Sequence, residues 1–157
     1  MLSFRKAQIE DVKLYFDWAN DPIVRKQSYQ SNSIDYATHS KWFENKIQDS
    51  CCLMLIFKND SNEIIGQLRI QKQSDNNAII GISIDSKHRG KGYAKEILQM
   101  GTNYFLLNNP NFIIHAYIKN ENLVSKYAFE KAGFEFQNML NYKNFNSFHY
   151  IKTHHDN

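Results

Sequence analysis

The sequence has few of the residues and runs that mark secreted, membrane or disulfide-bonded proteins. Its 157 residues include two prolines and two cysteines, the adjacent Cys51 and Cys52. Successive strand residues point to opposite faces, so a bridge between these cysteines would be strained, and we predict reduced thiols in a cytoplasmic protein. No apolar run reaches the roughly 18 residues of a membrane span, and the amino-terminal segment lacks a signal-peptide pattern. We therefore expect no membrane partner.

A large excess of charge of one sign is also missing. Nineteen Lys and Arg residues against 16 Asp and Glu residues give a formal net charge of +3. The basic residues are scattered apart from a cluster between Lys87 and Lys95, so we expect no nucleic-acid partner. His149, His154 and His155 lack zinc-ligand spacing, and no metal is predicted. The length allows a core without disulfides or metal, so we predict one domain over 1–157 with a flexible carboxyl-terminal end.

What the sequence does contain is a mixture of strand and helix patterns. Apolar runs bounded by turn residues predict strands over 2–5, 51–57, 64–71, 78–84, 112–118, 134–140 and 148–151. Helical spacing predicts helices over 9–19, 36–48, 94–109 and 120–132, the last capped by Asn120. The segment 23–35 is predicted to be a polar connection without regular structure. The order predicts a mixed α/β (α+β) unit with helices packed on a mostly antiparallel sheet.

The most informative segment is the strand, loop and helix over 82–94. Gly90 and Gly92 lack Cβ atoms, so the backbone there can come close to phosphate oxygens. The free amides that open the following helix favour a bound anion. Positive charge comes from three side chains, those of Lys87, Arg89 and Lys91. The same composition also fits a solvated turn, and the spacing matches neither a P-loop nor the dinucleotide G-x-G-x-x-G pattern.

Two motifs follow each other in sequence order. The first is Arg89-x-x-Gly92-x-Ala94, directly after the fourth predicted strand, and the second is the run Asn122-x-x-Ser125-x-x-x-Phe129-x-Lys131-x-Gly133-Phe134. The first matches the Q/R-x-x-G-x-G/A signature of the GNAT superfamily of acetyltransferases, and the second resembles the second conserved block of that family. The likeness in element order covers nearly the whole chain. It implies a GNAT-like fold, a mostly antiparallel sheet of six to seven strands with splayed central strands 4 and 5 and about four helices on its two faces. It also implies acetyl-CoA as donor to a primary amine, by direct attack in a ternary complex and without metal.

The resemblance also implies which residues hold the cofactor. The backbone of Ile82, Ser83 and Ile84 would pair with the pantetheine arm, and the Ile84 amide would polarise the thioester carbonyl. The pyrophosphate would be held by the backbone amides of Arg89, Gly90, Lys91, Gly92, Tyr93 and Ala94. Asn122, Ser125 and Phe129 would reach the cofactor from one helix face. Helix capping for Asn122 and simple packing for Ser125 remain open alternatives.

The catalytic groups depart from the pattern of the family. Phe129 stands where many members carry the tyrosine that protonates the departing thiolate, and Ser83 and Gly81 stand where some relatives carry a glutamate. Deprotonating an amine of pKa about 10.4 at pH 7 costs roughly 4.6 kcal/mol, against roughly 1.4 kcal/mol for a pKa near 8. This favours an acceptor of low pKa. The candidate catalytic side chains are Ser83, His39 and His88, with a water chain ending at His39, Asp85 or His88; each also fits a structural role.

The segment between the first two strands carries the predicted acceptor site. Its D-W-x-N-D-P-x-V-R run, residues 17–25, resembles GNAT enzymes that acetylate nucleotide-linked amino sugars in pseudaminic-acid-type pathways, and less closely those that acetylate ribosomal-protein N-termini. The predicted substrate-binding residues are Trp18, Asn20, Arg25, Tyr29 and Trp42. These side chains are suited to stack on a base, hydrogen-bond a hydroxyl and bind a phosphate, although both tryptophans also fit the core.

We therefore predict an amino-sugar-nucleotide N-acetyltransferase. The alternatives are an N-terminal acetyltransferase of the ribosomal-protein type and an acyl-CoA-binding protein without turnover. Edge strands near the carboxyl-terminal end are compatible with a homodimer.

Overall fold

A seven-stranded sheet lies at the centre of the computed structural model, which describes residues 1–154. The strands, in chain order, are β1 (Ser3–Lys6), β2 (Cys52–Lys58), β3 (Ile64–Lys72), β4 (Asn77–Ile84), β5 (Ile113–Lys119), β6 (Glu135–Tyr142) and β7 (Phe145–Thr153). The helices are α1 (Val12–Ala19), α2 (Pro22–Gln27), α3 (Tyr36–Gln48), α4 (Tyr93–Asn108) and α5 (Leu123–Lys131), with 3₁₀ turns at Ile9–Asp11 and Ser86–His88.

The strands are antiparallel neighbours except at the centre of the sheet. Their spatial order is β1-β2-β3-β4-β5-β7-β6, and β4 and β5 are parallel. These two strands pair only where Asn77 to Ile79 lie opposite Ile113 to His115. Past that point both strands continue without pairing to each other, so an opening separates the carboxyl-terminal half of β4 from β5. The predicted sheet, with its separated fourth and fifth strands, is therefore confirmed.

Helices cover both faces of the sheet and form two apolar cores. On one face, Ile97 and Leu98 of α4 and Phe129 of α5 belong to the larger cluster, together with Leu68 and Ile80 of the sheet. On the other face, α1 and α3 enclose a second cluster of five buried residues, Tyr15, Trp18, Phe43, Met54 and Ile56. Side chains on β3 and β4 alternate between the faces, so every second residue of these strands points toward the α3 side.

The first connection differs from the prediction. The segment 23–35 was expected to lack regular structure, but α2 begins at Pro22. Asp21 accepts hydrogen bonds from the backbone nitrogens of Ile23 at 3.0 Å and Val24 at 3.3 Å. Asp followed by Pro stops one helix, but it also caps the next one, because proline suits the first helical position and aspartate the cap. The predicted helix over 9–19 divides into the 3₁₀ turn and α1.

Three other element boundaries also differ from the prediction. The cap of α5 is Asn122 rather than Asn120, and its side chain accepts from the Ser125 nitrogen at 3.3 Å. Cys51 lies before β2 and is exposed, so only Cys52 is a strand residue; both are free cysteines. The last strand is longer than predicted and pairs with β6 through the turn at 143–144. The predicted flexible end and His155 lie outside the described residues. No helix in residues 1–154 is long and apolar enough to cross a membrane.

Candidate active site

The loop after β4 opens a space in front of α4. Gly90 and Gly92 have positive φ angles of 75° and 81°, and Gly92 is the N-cap residue of α4. Only glycine adopts this backbone conformation without steric cost. A Cβ atom built on either glycine would meet nothing within 4 Å, so the side of the loop that a side chain would cover is empty. The unpaired amides of the first turn of the 16-residue α4 complete a site suited to an anion.

The side chain of Arg89 holds this loop in place. Its Nε donates to the carbonyl oxygen of Ile84 at 3.1 Å, and its Nη2 lies 3.0 Å from Oδ1 of Asp21. Burial raises the pKa of Asp21, but the hydrogen bond from Arg89 and the amides at the start of α2 outweigh burial and hold that pKa below its ordinary value. The arginine of the predicted cofactor motif thus links the end of β4 to the cap of α2.

Asp85 and His88, both predicted as ends of a proton chain, pack around the same loop. Asp85 accepts from Trp18 Nε1 at 3.0 Å and from the Lys87 nitrogen at 3.1 Å. Trp18 is only 6% exposed, so its ring faces contact the core rather than open space. His88 is buried, with its ring edge-on to Tyr93 at 6.2 Å.

The second motif has a structural place as well. Asn122 caps α5 as described above, Ser125 lies in its first turn and is half-buried, and Phe129 is 4% exposed. The Phe129 ring packs edge-on against Phe134 with centroids 4.9 Å apart. Capping and core packing account for the contacts of Asn122 and Phe129, and contact with a cofactor remains a prediction.

Two of the predicted acceptor residues are engaged with the connection between α2 and α3. The Asn20 amide donates to the Ile34 oxygen at 2.8 Å and accepts from the Ile34 nitrogen at 2.9 Å. Arg25 Nη1 donates to the carbonyl oxygens of Gln30 at 2.7 Å and Asn32 at 3.1 Å. Both side chains therefore fix the shape of this connection, and binding of a phosphate or hydroxyl by them remains a prediction.

A cleft of about 230 Å³ opens on the α3 face, where β4 and β5 begin to separate. We call it the acceptor cleft; its walls include Trp42, Lys46, Arg69, Gly81, Tyr142 and Lys143. Arg69 and Gly81 are directly opposite each other in the pairing of β3 with β4. The Arg69 guanidinium lies 5.1 Å from the centroid of the Trp42 ring. Burial lowers the pKa of Arg69.

A pair of histidines lies beside the opening between β4 and β5. His115 Nε2 is 2.7 Å from Asn77 Oδ1, and His115 Nδ1 is 2.8 Å from His149 Nε2. The side-chain Nδ2 of Asn77 donates to the carbonyl oxygens of Ser74 and Asp75, so Oδ1 of the same amide faces His115. Nε2 of His115 must then be the donor, and its Nδ1 accepts from His149 Nε2.

This arrangement leaves Nδ1 of His149 as the nitrogen with a free lone pair. That atom is 3.4 Å from Oδ1 of the exposed Asn138 side chain, and two acceptor atoms form no hydrogen bond. Burial lowers the pKa of both histidines, and the neighbouring His115 lowers that of His149 further. The pair is therefore neutral at pH 7 and able to accept a proton.

Aromatic rings continue from this pair to the acceptor cleft. The Tyr117 ring stacks on Tyr142 at 4.0 Å and on His149 at 4.8 Å, with interplanar angles of 1° and 6°. The predicted acceptor residue Tyr29 packs edge-on against Tyr142 at 4.9 Å, and its hydroxyl is 2.6 Å from Ser147 Oγ. The alternation of His115 and Tyr117 on one predicted strand was a usable signal for this wall, whereas the approach of His149 depends on strand pairing.

The remaining catalytic candidates are Ser83 and His39. Ser83 Oγ accepts a hydrogen bond from Gln67 Nε2 at 2.9 Å. His39 is 4% exposed, and its Nδ1 has no hydrogen-bond partner in residues 1–154. Burial lowers the pKa of His39, and the charge of Arg25 lowers it further. Ser83 thus lies on the strand beside the opening, and His39 lies within the packing of α3.

Solved structures of the same fold bind coenzyme A. Aminoglycoside acetyltransferase AAC(6')-Ib in complex with coenzyme A and kanamycin superposes with a TM-score of 0.84 over 99% of this chain and 96% of that chain, at 16% identity. Spermidine N-acetyltransferase from Vibrio cholerae in complex with CoA and spermine gives a TM-score of 0.82 over 96% and 93% of the two chains, again at 16% identity. At this identity the likeness shows the fold.

Sequence comparison shows the family. Residues 1–135 match the acetyltransferase (GNAT) domain family. The uncharacterized N-acetyltransferase YjdG of Bacillus subtilis (strain 168) is 33% identical over 137 residues, which cover 86% of this chain and 74% of that protein. The family match covers most of the chain, and the fold is the one that GNAT enzymes share. The chain therefore belongs to the GNAT family of N-acetyltransferases.

Proposed function

We propose that the protein transfers the acetyl group of acetyl-CoA to the amine of a small molecule, by direct attack within a ternary complex. The observation that carries the proposal is the continuity of three features along β4. Its residues 80–84 have a free edge toward β5, its end leads into the glycine loop before α4, and its middle borders the acceptor cleft. A thioester held along that edge would therefore end beside the cleft.

The residues present suit acetyl-CoA, the donor that this family uses. The free backbone edge of Ile82 to Ile84 can hydrogen-bond an amide-containing arm as an added strand would. The open side of Gly90 and Gly92 admits a pyrophosphate next to the amides of α4. When bound, acetyl-CoA supplies an activated acyl group, and the Ile84 amide is the donor proposed to stabilise the oxyanion.

The attacking amine must lose a proton, and the His115–His149 pair supplies an acceptor for it. Attack forms the bond from nitrogen to the carbonyl carbon, collapse breaks the carbon–sulfur bond, and the thiolate leaves with the electron pair. We propose that Nδ1 of His149 receives the amine proton through water, since both rings are neutral and their tautomers are fixed by Asn77. Phe129 cannot protonate the thiolate, but a thiol of pKa near 8.5 leaves without that help.

The narrower hypothesis of an amino-sugar nucleotide has less support. Trp18, Asn20 and Arg25 were the side chains expected to bind it, and all three have hydrogen-bond partners within the chain. The similar structures are complexes with kanamycin and with spermine, both of which are polyamino compounds without a nucleotide. We retain nucleotide sugars and N-terminal peptides as members of a test panel rather than as the assigned acceptor.

The test follows thiol release from acetyl-CoA in the presence of amino sugars, their phosphates and nucleotides, amino acids, polyamines and N-terminal peptides. Acetyl transfer to at least one small amine is expected, with the acetylated product seen by mass spectrometry. Calorimetric titration with CoA runs in parallel. CoA binding without transfer to any amine would support the non-catalytic alternative, and the absence of both binding and transfer would contradict the proposal as a whole.

A further inference from the structure

The acceptor cleft has an unbalanced positive charge. Its lining includes three basic side chains, those of Lys46, Arg69 and Lys143, and no acidic one. Within residues 1–154, the guanidinium of Arg69 forms no ion pair. Lys46 donates to the neutral Gln71 side chain at 2.6 Å. Desolvating a cation without a counter-charge is costly, so an unpaired arginine in a cleft is a functional candidate.

Arg69 is not a surface arginine that happens to lack a partner. It is the register partner of Met54 on one side and of Gly81 on the other, so it lies in the middle of the sheet. Met54 belongs to the buried cluster under α1 and α3. Trp42 of α3 covers the guanidinium, at 5.1 Å from its ring centroid. Burial lowers the pKa of Arg69, but an arginine stays charged at pH 7.

The carboxylate of Asp49, an acid that interacts with the charge of Lys46, is committed to other hydrogen bonds. One of its oxygens accepts from the Cys51 nitrogen at 2.8 Å and the other from Gln71 Nε2 at 3.3 Å. The charge on Arg69 therefore has no internal neutralising group comparable to the one that Asp11 provides for Arg5, whose Nη1 lies 2.8 Å from Oδ2 of Asp11. Arg5 and Arg69 are both strand residues facing the same side of the sheet, and only Arg5 has its acid.

The unbalanced charge lies beside the predicted position of the thioester. The nearest atom to a Cβ built on Gly81 would be Nη2 of Arg69, at 3.8 Å. Gly81 directly precedes Ile82, where the free edge proposed to hold the cofactor arm runs. A group bound by Arg69 would therefore be close to the reacting amine, on the same small molecule.

We propose that the acceptor is an amine that also carries an anionic group, a carboxylate or a phosphate, and that Arg69 binds this group at the base of the acceptor cleft. The fork of guanidinium donors matches two oxygens of either group. The aromatic walls of Trp42 and Tyr142 would contact the rest of the molecule. This inference rests on the proposed function, and it names the substrate class that function leaves open.

The same charges disfavour polycationic acceptors. Polyamines and aminoglycosides carry several protonated amines at neutral pH, and each additional cation would face Arg69 and the two lysines at short range. In a cleft of low effective dielectric, such repulsion costs more than it does in water. The acceptor preference is therefore expected to differ from the amines named for the structurally similar enzymes.

The experiment compares pairs of amines that differ only in the anion. Phenylalanine is paired with phenylalaninamide, and glucosamine 6-phosphate with glucosamine, with spermidine and kanamycin as polycations. We expect the anionic member of at least one pair to have a kcat/KM about 10- to 100-fold above its partner, the range of a charged hydrogen bond. A preference in the phenylalanine pair indicates that the cleft binds a carboxylate, and a preference in the glucosamine pair indicates that it binds a phosphate. The amide has the more easily deprotonated amine, so basicity works against the expected result.

Two substitutions at Arg69 test the residue itself. Arg69→Gln is expected to reduce the anionic kcat/KM to the level of the neutral partner, and Arg69→Lys to keep part of the preference because it retains the charge without the fork. Lys58→Gln removes the same net charge from the end of β2 and is expected to leave the preference intact. Thermal unfolding and calorimetric CoA binding establish that each variant is folded.

A binding experiment tests the proposed role of Arg69 without requiring acetyl transfer. The CoA complex is titrated with each of the four paired amines, and tighter binding of an anionic member that Arg69→Gln abolishes supports the proposal. Equal binding and equal kcat/KM within both pairs, or a preference that survives Arg69→Gln, would overturn it. Those results would leave acetyl transfer itself untouched, whereas failure to bind CoA would contradict the proposed function instead.

Discussion

The Nη2 atom of Arg69 lies 3.8 Å from the position that a Cβ atom of Gly81 would occupy. A methyl group fits there at ordinary van der Waals distance, and Gly81 is not among the glycines of positive φ. We therefore expect Gly81→Ala to fold, and to raise the free energy of unfolding by up to about 1 kcal/mol because alanine orders at a lower entropic cost. The methyl group narrows the acceptor cleft, so KM for the acceptor should rise several-fold while CoA binding is unchanged.

Gly66→Ala is the matched control for this change. Gly66 lies on the same strand as Arg69, but a Cβ atom there would come within 2.5 Å of the Ser83 carbonyl oxygen. The pairing of β3 with β4 would have to shift, at a cost of about 1–3 kcal/mol in urea unfolding. Equal destabilisation by the two substitutions would contradict the packing inferred around Gly81.

The loop before α4 permits a second paired prediction. Gly92 and Gly133 have φ angles of 81° and 96°, so alanine is strained at either position, by about 1–2 kcal/mol. Gly133 follows α5, and its nearest possible contact is the Lys152 side chain at 3.7 Å. We expect both variants to lose similar stability, but only Gly92→Ala to weaken CoA binding, by tenfold or more in calorimetry.

The sequence predicted the elements well where one signal decided each of them. Tyr36–Gln48 has the predicted bounds, with Asp35 accepting from the Thr38 nitrogen at its start. Pro22–Gln27 was missed because the pair Asp21-Pro22 signals both the end of one helix and the start of another. The local sequence does not decide between a helix end and a helix start here, because a helix of only six residues is too short to show a helical repeat of apolar residues.

The site was predicted in part, and its missing half depends on long-range pairing. The glycine loop follows directly from residue types along the chain. Arg69 stands between Leu68 and Ile70, so alternation predicts only that it faces away from their core, not that Trp42 covers it. His115 and His149, which are 34 positions apart in the chain, meet as diagonal neighbours because β5 pairs with β7.

Asp21 has two roles that substitutions can separate. It caps α2 and also pairs with Arg89 of the cofactor loop, at 3.0 Å. Asparagine is a good cap but has no charge, so Asp21→Asn should cost about 1 kcal/mol, as expected for a partly buried ion pair of which the Arg89 and Asp21 side chains are 27% and 19% exposed. Asp21→Ala loses both interactions and should cost about 1–2 kcal/mol. If Arg89 orders the loop, both variants should weaken CoA binding by the same factor, as measured by calorimetry.

The histidine pair predicts a kinetic phenotype. Removing a general base costs about 100-fold or more in kcat. His149→Gln is expected to show such a loss, with CoA binding unchanged, for an acceptor whose amine is protonated at neutral pH. His115→Gln keeps the proton-accepting ring but removes the partner that fixes its tautomer, so a smaller loss is expected. Wild-type rates from both variants would assign proton transfer to solvent.

The pH dependence of stability follows from three histidines, His39, His115 and His149. Burial lowers the pKa of each below the ordinary 6.5. As pH falls below 6.5 the unfolded chain takes up protons that the folded chain does not, so stability present above this pH is lost on acidification. The free energy of unfolding should therefore fall between pH 6.5 and 5, by at most about 1.4 kcal/mol per pH unit for each histidine. Carboxylates whose pKa is lowered, such as Glu130 with an ordinary value of 4.5, lose their contribution only at lower pH.

His39→Phe isolates one of these histidines. His39 lies among the rings of Phe16, Trp42 and Phe43, and its Nδ1 has no hydrogen-bond partner in residues 1–154. Phenylalanine fits an aromatic environment of this kind and does not titrate. The stability of the variant relative to wild type should therefore be higher at pH 5 than at pH 7.5, because wild type alone loses the contribution of a histidine that must stay neutral. Urea unfolding at both pH values measures the difference, and an equal difference at the two would show that His39 keeps its ordinary pKa in the folded protein.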